Sequence, residues 1–204
     1  KAVTGINIEK QPTVMSYVYG QKLALNGLSV KLSYNDYTSE IVAFTTSSFS
    51  NKNITASPAH GTILIKNDHN GMPISVSCNG ITKNTTSALT VEEASIASTN
   101  PTDLNEATTN DGSLANGDIV VTIANGILQS IAKADVTANN LPAGLNYGIT
   151  RKSTTQLMIQ ITGRATNHAS TDSISNVSFT IKQAKVTGAT SDLTTDNISI
   201  NFND

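Results

Sequence analysis

Acidic side chains are the residues of this chain with the clearest chemical potential, because two of them in a cleft can hydrolyse a glycosidic bond. Such a pair needs its carboxyl groups about 5 to 9.5 Å apart. Glu92 and Glu93 are adjacent on a predicted strand, so their side chains point to opposite faces and cannot converge. The other acids fall on predicted loops, where we expect solvent-facing side chains: Asp103, Glu106, Asp111 and Asp118. The sequence therefore predicts no catalytic carboxylate pair.

The sequence lacks the motifs typical of nucleophilic catalysis and of zinc binding. The three histidines are far apart in sequence and show no His-x-His or His-Glu-x-x-His spacing: His60, His69 and His168. Cys78 is the only cysteine, so no intrachain disulfide exists, and we interpret it as a small buried residue on a strand. No serine lies in a Gly-x-Ser-x-Gly turn, and no glycine-rich phosphate loop occurs. We predict that the chain is not an enzyme.

Calcium is the one metal that the sequence favours. Asn110-Asp111-Gly112 and Asn116-Gly117-Asp118 place oxygen ligands on two turns of one predicted loop, and calcium prefers such ligands. No EF-hand or nonapeptide repeat accompanies them. The prediction is no obligatory cofactor, with a calcium site at Asn110, Asp111, Asn116 and Asp118 as the alternative.

Carbohydrate recognition would need exposed aromatic rings on which the C–H faces of a sugar stack. The chain has five Tyr, four Phe and no Trp, so few rings are available. Tyr37 and Tyr147 lie on the most loop-like segments and are the candidate glycan-binding residues. The alternative for both is a structural role within the fold.

Charge and hydropathy exclude two classes of partner. The formal net charge is −2, and the Lys and Arg residues are scattered singly, whereas nucleic acids and anionic lipids need a dense basic face. No segment approaches the ~20 consecutive apolar residues of a membrane-spanning helix. We therefore expect neither nucleic-acid binding nor membrane insertion. The chain begins at Lys1 without Met, which suggests a piece of a longer or matured protein.

Alternation of apolar and polar residues predicts an all-β fold. Leu28, Val30, Leu32 and Tyr34 alternate with polar residues, the period of a strand buried on one face. Twelve strands are predicted: 3–8, 13–17, 28–34, 40–44, 62–66, 74–78, 89–96, 118–123, 148–152, 156–162, 175–181 and 198–202. The polar run 79–87 has the composition of a linker, and a short helical turn is predicted within 100–107. We predict two β-sandwich domains, residues 1–87 and 88–204, with a single large sandwich as the alternative.

The first half resembles a bacterial immunoglobulin-like domain of the group 3 type. The pattern Tyr-x-Tyr-Gly-x-x-Leu-x-Leu-x-Gly-Leu-x-Val-x-Leu-x-Tyr-Asn-Asp over 17–36 carries the resemblance, with 74–81 as the closing strand. In that family an Asp-Gly turn often follows the last tyrosine, and here Asn35-Asp36-Tyr37 stands in its place. The second half is similar to another β-sandwich module of surface and S-layer-type proteins, through 104–107, 139–145 and 153–157.

These resemblances imply two tandem immunoglobulin-like sandwiches in an extracellular protein of the bacterial cell surface or cell wall. Modules of this kind act as spacers, stalks or adhesive units, and their partners are neighbouring domains of the same protein, wall glycans or other surface subunits. The alternative function is an ancillary glycan-binding module of a secreted polysaccharide-degrading enzyme. Neither family carries catalytic residues to transfer.

Overall fold

The structure, a computed structural model, describes all residues from 1 to 204 and confirms the all-β prediction. The chain divides into two compact units, Lys1–Glu92 and Glu93–Asp204. The division lies five residues beyond the predicted boundary at 87. None of the helices has the length and apolar character that a membrane crossing requires.

The first unit is a sandwich of two three-stranded antiparallel sheets, β1-β3-β4 and β5-β6-β7, with β2 and β8 paired in parallel. Inward-facing residues of both sheets, such as Val30, Leu32 and Val76, belong to one buried cluster. Two short helices, α1 (Thr46–Asn51) and α2 (Lys66–His69), lie between strands. The strands are β1 (Val3–Lys10), β2 (Ser16–Val18), β3 (Ser29–Tyr34), β4 (Ser39–Ala43), β5 (Ile54–Ser57), β6 (Pro73–Cys78), β7 (Ile81–Ala88) and β8 (Thr90–Glu92).

The second unit contains eleven strands around its own core. One sheet has the order β14-β15-β11-β9, and the other has the order β10-β19-β16-β13 with β18 also paired to β16. Both sheets contribute to a single buried cluster, in which Phe179 and Ile159 are fully buried. The strands are β9 (Ser95–Asn100), β10 (Asp103–Asn105), β11 (Asp118–Ala124), β12 (Ile127–Leu128), β13 (Val136–Asn139), β14 (Leu145–Arg151), β15 (Gln156–Gly163), β16 (Ile174–Ile181), β17 (Val186–Thr187), β18 (Leu193–Thr194) and β19 (Ile198–Asn201).

The segment interpreted as a linker is strand β7. Asn79 and Gly80 both have positive φ, at 49° and 82°, and form the two-residue turn of a β6–β7 hairpin. The strand is polar because most of its side chains face solvent; Thr85 is buried, and its hydroxyl accepts a hydrogen bond from the Ile74 N–H at 2.9 Å. A polar edge strand and a linker therefore share the same composition.

Three other predicted elements were wrong. The predicted strand 62–66 contains only one isolated β-bridge, between Ile63 and Lys22, and helix α2 begins at Lys66. The helical turn predicted within 100–107 is strand β10, which pairs in parallel with β19. The single strand predicted over 89–96 is two strands, β8 and β9, one in each unit.

Candidate functional site

Glu106 is the only charged residue that is buried, with 4% of its surface exposed. It follows β10, where the Glu106 N–H donates to the Asn201 carbonyl at 2.8 Å and extends the pairing with β19. Leu104 is buried two residues earlier, and the period of two in a strand turns the Glu106 side chain toward the same interior face. The element itself therefore forces this carboxylate inward.

Groups from three segments surround the carboxylate, and together with it they form what we call the Glu106 cluster: Glu106, Asn110, Gly112, His168 and Asn203. Oε1 accepts from the Gly112 N–H at 2.6 Å, and Oε2 accepts from the Asn203 N–H at 2.9 Å. The Asn110 amide nitrogen, when turned to the carboxylate, donates to both oxygens at 3.2 and 3.1 Å. His168 Nδ1 lies 3.0 Å from Oε1.

These contacts stabilise the ionised form of Glu106. The bond from Asn203 lowers the pKa of the carboxyl most; burial opposes this effect, while the Gly112 bond and the charge of His168 reinforce it. A general acid needs the reverse, a carboxyl whose pKa is raised so that it holds a proton near neutral pH. The geometry therefore suits a structural carboxylate that ties loop 107–113 and Asn203 to the end of β10.

An open polar depression lies beside the Glu106 cluster, with a volume of about 420 Å³. Both acidic residues that line it already accept backbone hydrogen bonds: Asp172 from the Ala169 N–H and Asp204 from the Ser170 N–H, each at 3.0 Å. Its lining residues are Asn110, Thr166, His168, Ala169, Asp172, Asn203 and Asp204.

The structure does not bring the four calcium candidates together. Asp111 accepts from Ser113 and pairs with Arg164 at 3.0 Å. Asn116 accepts from the Asp118 N–H, and Asp118 accepts from Gln160. The two acids therefore contact different partners, Arg164 just beyond β15 and Gln160 within it. No group of three or more His, Cys, Asp or Glu side chains is arranged to hold a metal ion.

The two candidate tyrosines have opposite environments. Tyr37 lies at the tip of the β3–β4 turn with φ 61° and a fully exposed side chain. Tyr147 lies inside strand β14 and not on a loop; its hydroxyl donates to the Val136 carbonyl at 2.6 Å, and its ring contacts Phe179 with centroids 5.3 Å apart. Tyr147 is therefore a partly buried core residue, and the prediction that it lies on a loop-like segment was wrong.

Comparison with known proteins gives structural neighbours only. No protein family matches the sequence, and neither does any curated protein. The chain is similar to domains 4 and 5 of the S-layer protein SbsC, with 10% identity, 98% of each chain covered and a TM-score of 0.39. It is also similar to the cell-surface-expressed multi-modular chitinase ChiW from Paenibacillus sp. str. FPU-7, with 20% identity and a TM-score of 0.41. That likeness covers 54% of this chain and 13% of the chitinase.

Proposed function

We propose that the chain is a non-catalytic structural or adhesive segment of a larger bacterial cell-surface or S-layer-type protein, located outside the cell. The observation that carries the proposal is the Glu106 cluster. The one buried charged side chain accepts hydrogen bonds from the backbone at Gly112 and Asn203, and these bonds hold separate segments together. The immunoglobulin-like resemblance of the first half supports the same role. The direct partners are then neighbouring domains of the parent protein.

Hydrolysis assays on purified cell walls and a panel of polysaccharides, together with a light-scattering mass, test this role. A structural segment releases no reducing ends from any substrate. Release of reducing ends by the wild-type chain that disappears in both Glu106→Gln and His168→Ala would overturn the proposal, because it would make the cluster catalytic.

The mass measurement is repeated with calcium and with a chelator. Calcium-dependent self-association would indicate assembly into a surface lattice, with Asp111 or Asp118 exchanging its present partners for the ion. An unchanged mass leaves the segment as a spacer between neighbouring domains.

The second candidate function is an ancillary glycan-binding module of a polysaccharide-degrading enzyme. Full exposure of Tyr37 favours it, because an unburied ring can stack on a sugar. Loss of polysaccharide binding in Tyr37→Ala would support this function at that loop, and indifference to the substitution would remove Tyr37 from the site.

A further inference from the structure

A depression of about 350 Å³ opens in the first unit between the end of β4, helix α1 and strand β5. Its volume lies within the range of about 300 to 1,000 Å³ typical of small-molecule sites. No Lys, Arg, Asp or Glu lines it. The lining residues are Leu25, Phe44, Thr46, Phe49, Ser50, Ile54, Thr55, Ala56, Ala59 and His60.

Three rings meet in this depression. Phe44 packs edge-on against Phe49 with centroids 5.0 Å apart, and it lies 5.1 Å from the tilted ring of His60. Phe49 is buried and fixes the arrangement, whereas Phe44 is half-buried and His60 is exposed. The depression therefore presents aromatic surface to solvent from a rigid base.

Polar groups surround these rings. His60 Nδ1 accepts the Leu25 N–H at 3.2 Å, so the neutral imidazole carries its hydrogen on Nε2 and can donate there. The side chains of Thr46, Ser50 and Thr55 are exposed and add hydroxyls that both donate and accept. An apolar floor with an uncharged hydrogen-bonding rim suits a ligand that is itself uncharged and rich in hydroxyls.

Phe44 also lines a second depression of about 560 Å³, which extends over the outer face of sheet β1-β3-β4. Ile41 is 62% exposed there, and the buried Ser29 hydroxyl has no hydrogen-bond partner in the protein. Glu9 and Lys10 at its rim have opposite charges, which leaves this depression without net charge. Because one residue borders both depressions, a ligand that crosses Phe44 can occupy both.

We propose that these two depressions, together the Phe44 groove, bind a neutral glycan chain. Sugar C–H faces lie on Phe44 and His60, and sugar hydroxyls pair with the rim and, after rotation of its side chain, with Ser29. A chain of repeating units fits better than a single small molecule because the binding surface continues on both sides of Phe44. The site is separate from the Glu106 cluster and does not depend on the structural role proposed above.

Isothermal titration of the full chain with cellohexaose, a hexamer of N-acetylglucosamine and hexagalacturonic acid tests the proposal. Saturable binding of a neutral hexamer, with no binding of the charged one, is the expected result. Phe44→Leu removes the ring at the centre of the groove and should weaken binding about two- to tenfold, the scale of one lost aromatic contact. Ala59→Glu keeps every ring, adds a charge at an exposed lining position, and should weaken binding similarly.

Met72→Ala is the matched control, since it removes an exposed apolar side chain of the same unit outside the groove and should leave the affinity unchanged. Thermal unfolding of each variant identifies a folding defect, and Ala59→Glu keeps the test valid if Phe44→Leu unfolds. The proposal is overturned if no neutral hexamer binds, if the charged hexamer binds better, or if both groove variants bind like the wild type. If glycan binding fails in this way, the structural role proposed above still stands, because that role is tested separately by the hydrolysis assays.

Discussion

At the scale of single residues, Glu106 shows how a charge can be buried without reactivity. Its oxygens accept from the backbone of Gly112 and Asn203, so the desolvation of the carboxylate is compensated by donors that cannot rotate away. Removal of one partner from such an arrangement leaves the others unsatisfied, which is more harmful than never having made the bonds. The second unit should therefore be sensitive to the identity of this one side chain.

Glu106→Gln should lower the melting temperature of the second unit although it preserves shape and volume. A glutamine amide offers one oxygen and one NH2 group, so its NH2 group must face either the Gly112 or the Asn203 N–H. Differential scanning calorimetry measures the shift. Asp103→Asn is the matched control, because it makes the same carboxylate-to-amide change at an exposed position of the adjoining strand. Equal shifts in the two variants would contradict the structural role of Glu106.

Acid should destabilise the wild-type second unit more than the Glu106→Gln variant. The pKa of Glu106 is lowered in the folded state by the bond from Asn203, so the folded form binds fewer protons than the unfolded form. The resulting stability is present above the ordinary glutamate pKa of about 4.3 and is lost as the pH falls through the lower folded-state pKa. Asp111 and Asp135 have lowered pKa values as well. The variant should therefore still lose some stability in acid through these two carboxylates.

Melting temperatures recorded between neutral pH and pH 2 measure this slope. The variant should show a shallower decline than the wild type below about pH 4. Parallel curves would mean that Glu106 titrates alike in the folded and unfolded states.

The sequence predicted a solvent-facing Glu106 because one of its two backbone donors is remote in sequence. The Asn203 donor is separated from it by 97 residues, and no local pattern reveals that contact. The available signal was the spacing of Leu104 and Glu106, which share one face of a strand once 103–105 is recognised as extended. The same rule applies to Tyr147, which lies at strand spacing between Leu145 and Ile149 and therefore points inward with them.

At the scale of elements, strands with regular alternation were predictable and polar or very short strands were not. The predicted strands 28–34, 118–123, 156–162 and 175–181 correspond to β3, β11, β15 and β16, all of which bury one face. Strand β7 was not predicted because it fully buries only Thr85. Strand β10 was not predicted because three residues are too few to show an alternating pattern. Whether such a segment forms a strand depends on its pairing with a neighbouring strand, which is a tertiary effect.

Two glycines of one sheet region, Gly117 just before β11 and Gly148 within β14, should respond oppositely to substitution by alanine. A Cβ at Gly117 would clash with the Ile161 carbonyl oxygen on β15, whereas a Cβ at Gly148 on β14 would meet nothing within 4 Å. Gly117→Ala should reduce the free energy of unfolding of the second unit by about 1–3 kcal/mol or more, as overpacking does. Chemical denaturation measures the loss.

Gly148→Ala is the control and should be neutral or slightly stabilising, because an alanine in a strand loses less backbone entropy than a glycine. Equal destabilisation by the two alanines would show that the close approach of Gly117 to β15 is not the reason why a side chain is unfavourable at position 117.

At the scale of the whole molecule, each unit has its own buried cluster, and a core substitution should act on the unit that contains it. Phe179→Ala removes a fully buried ring from the second core and should reduce the unfolding free energy of that unit by about 3–5 kcal/mol. Ile74→Ala does the same to the first core, with an expected loss of about 2–5 kcal/mol. Calorimetry of the full chain should show a different transition lowered by each substitution, and a common shift of all transitions would contradict separate cores.

The parallel strand pairs have a mechanical consequence. In each unit a strand near its beginning runs parallel to one near its end, β2 beside β8 and β10 beside β19. When the ends of a unit are pulled apart, the two members of such a pair are drawn in opposite directions along their length. The inter-strand hydrogen bonds are then loaded in shear and share the force, instead of being peeled open one at a time. Anchoring of Asn203 by Glu106 just beyond β19 adds another bond to the set that must break together.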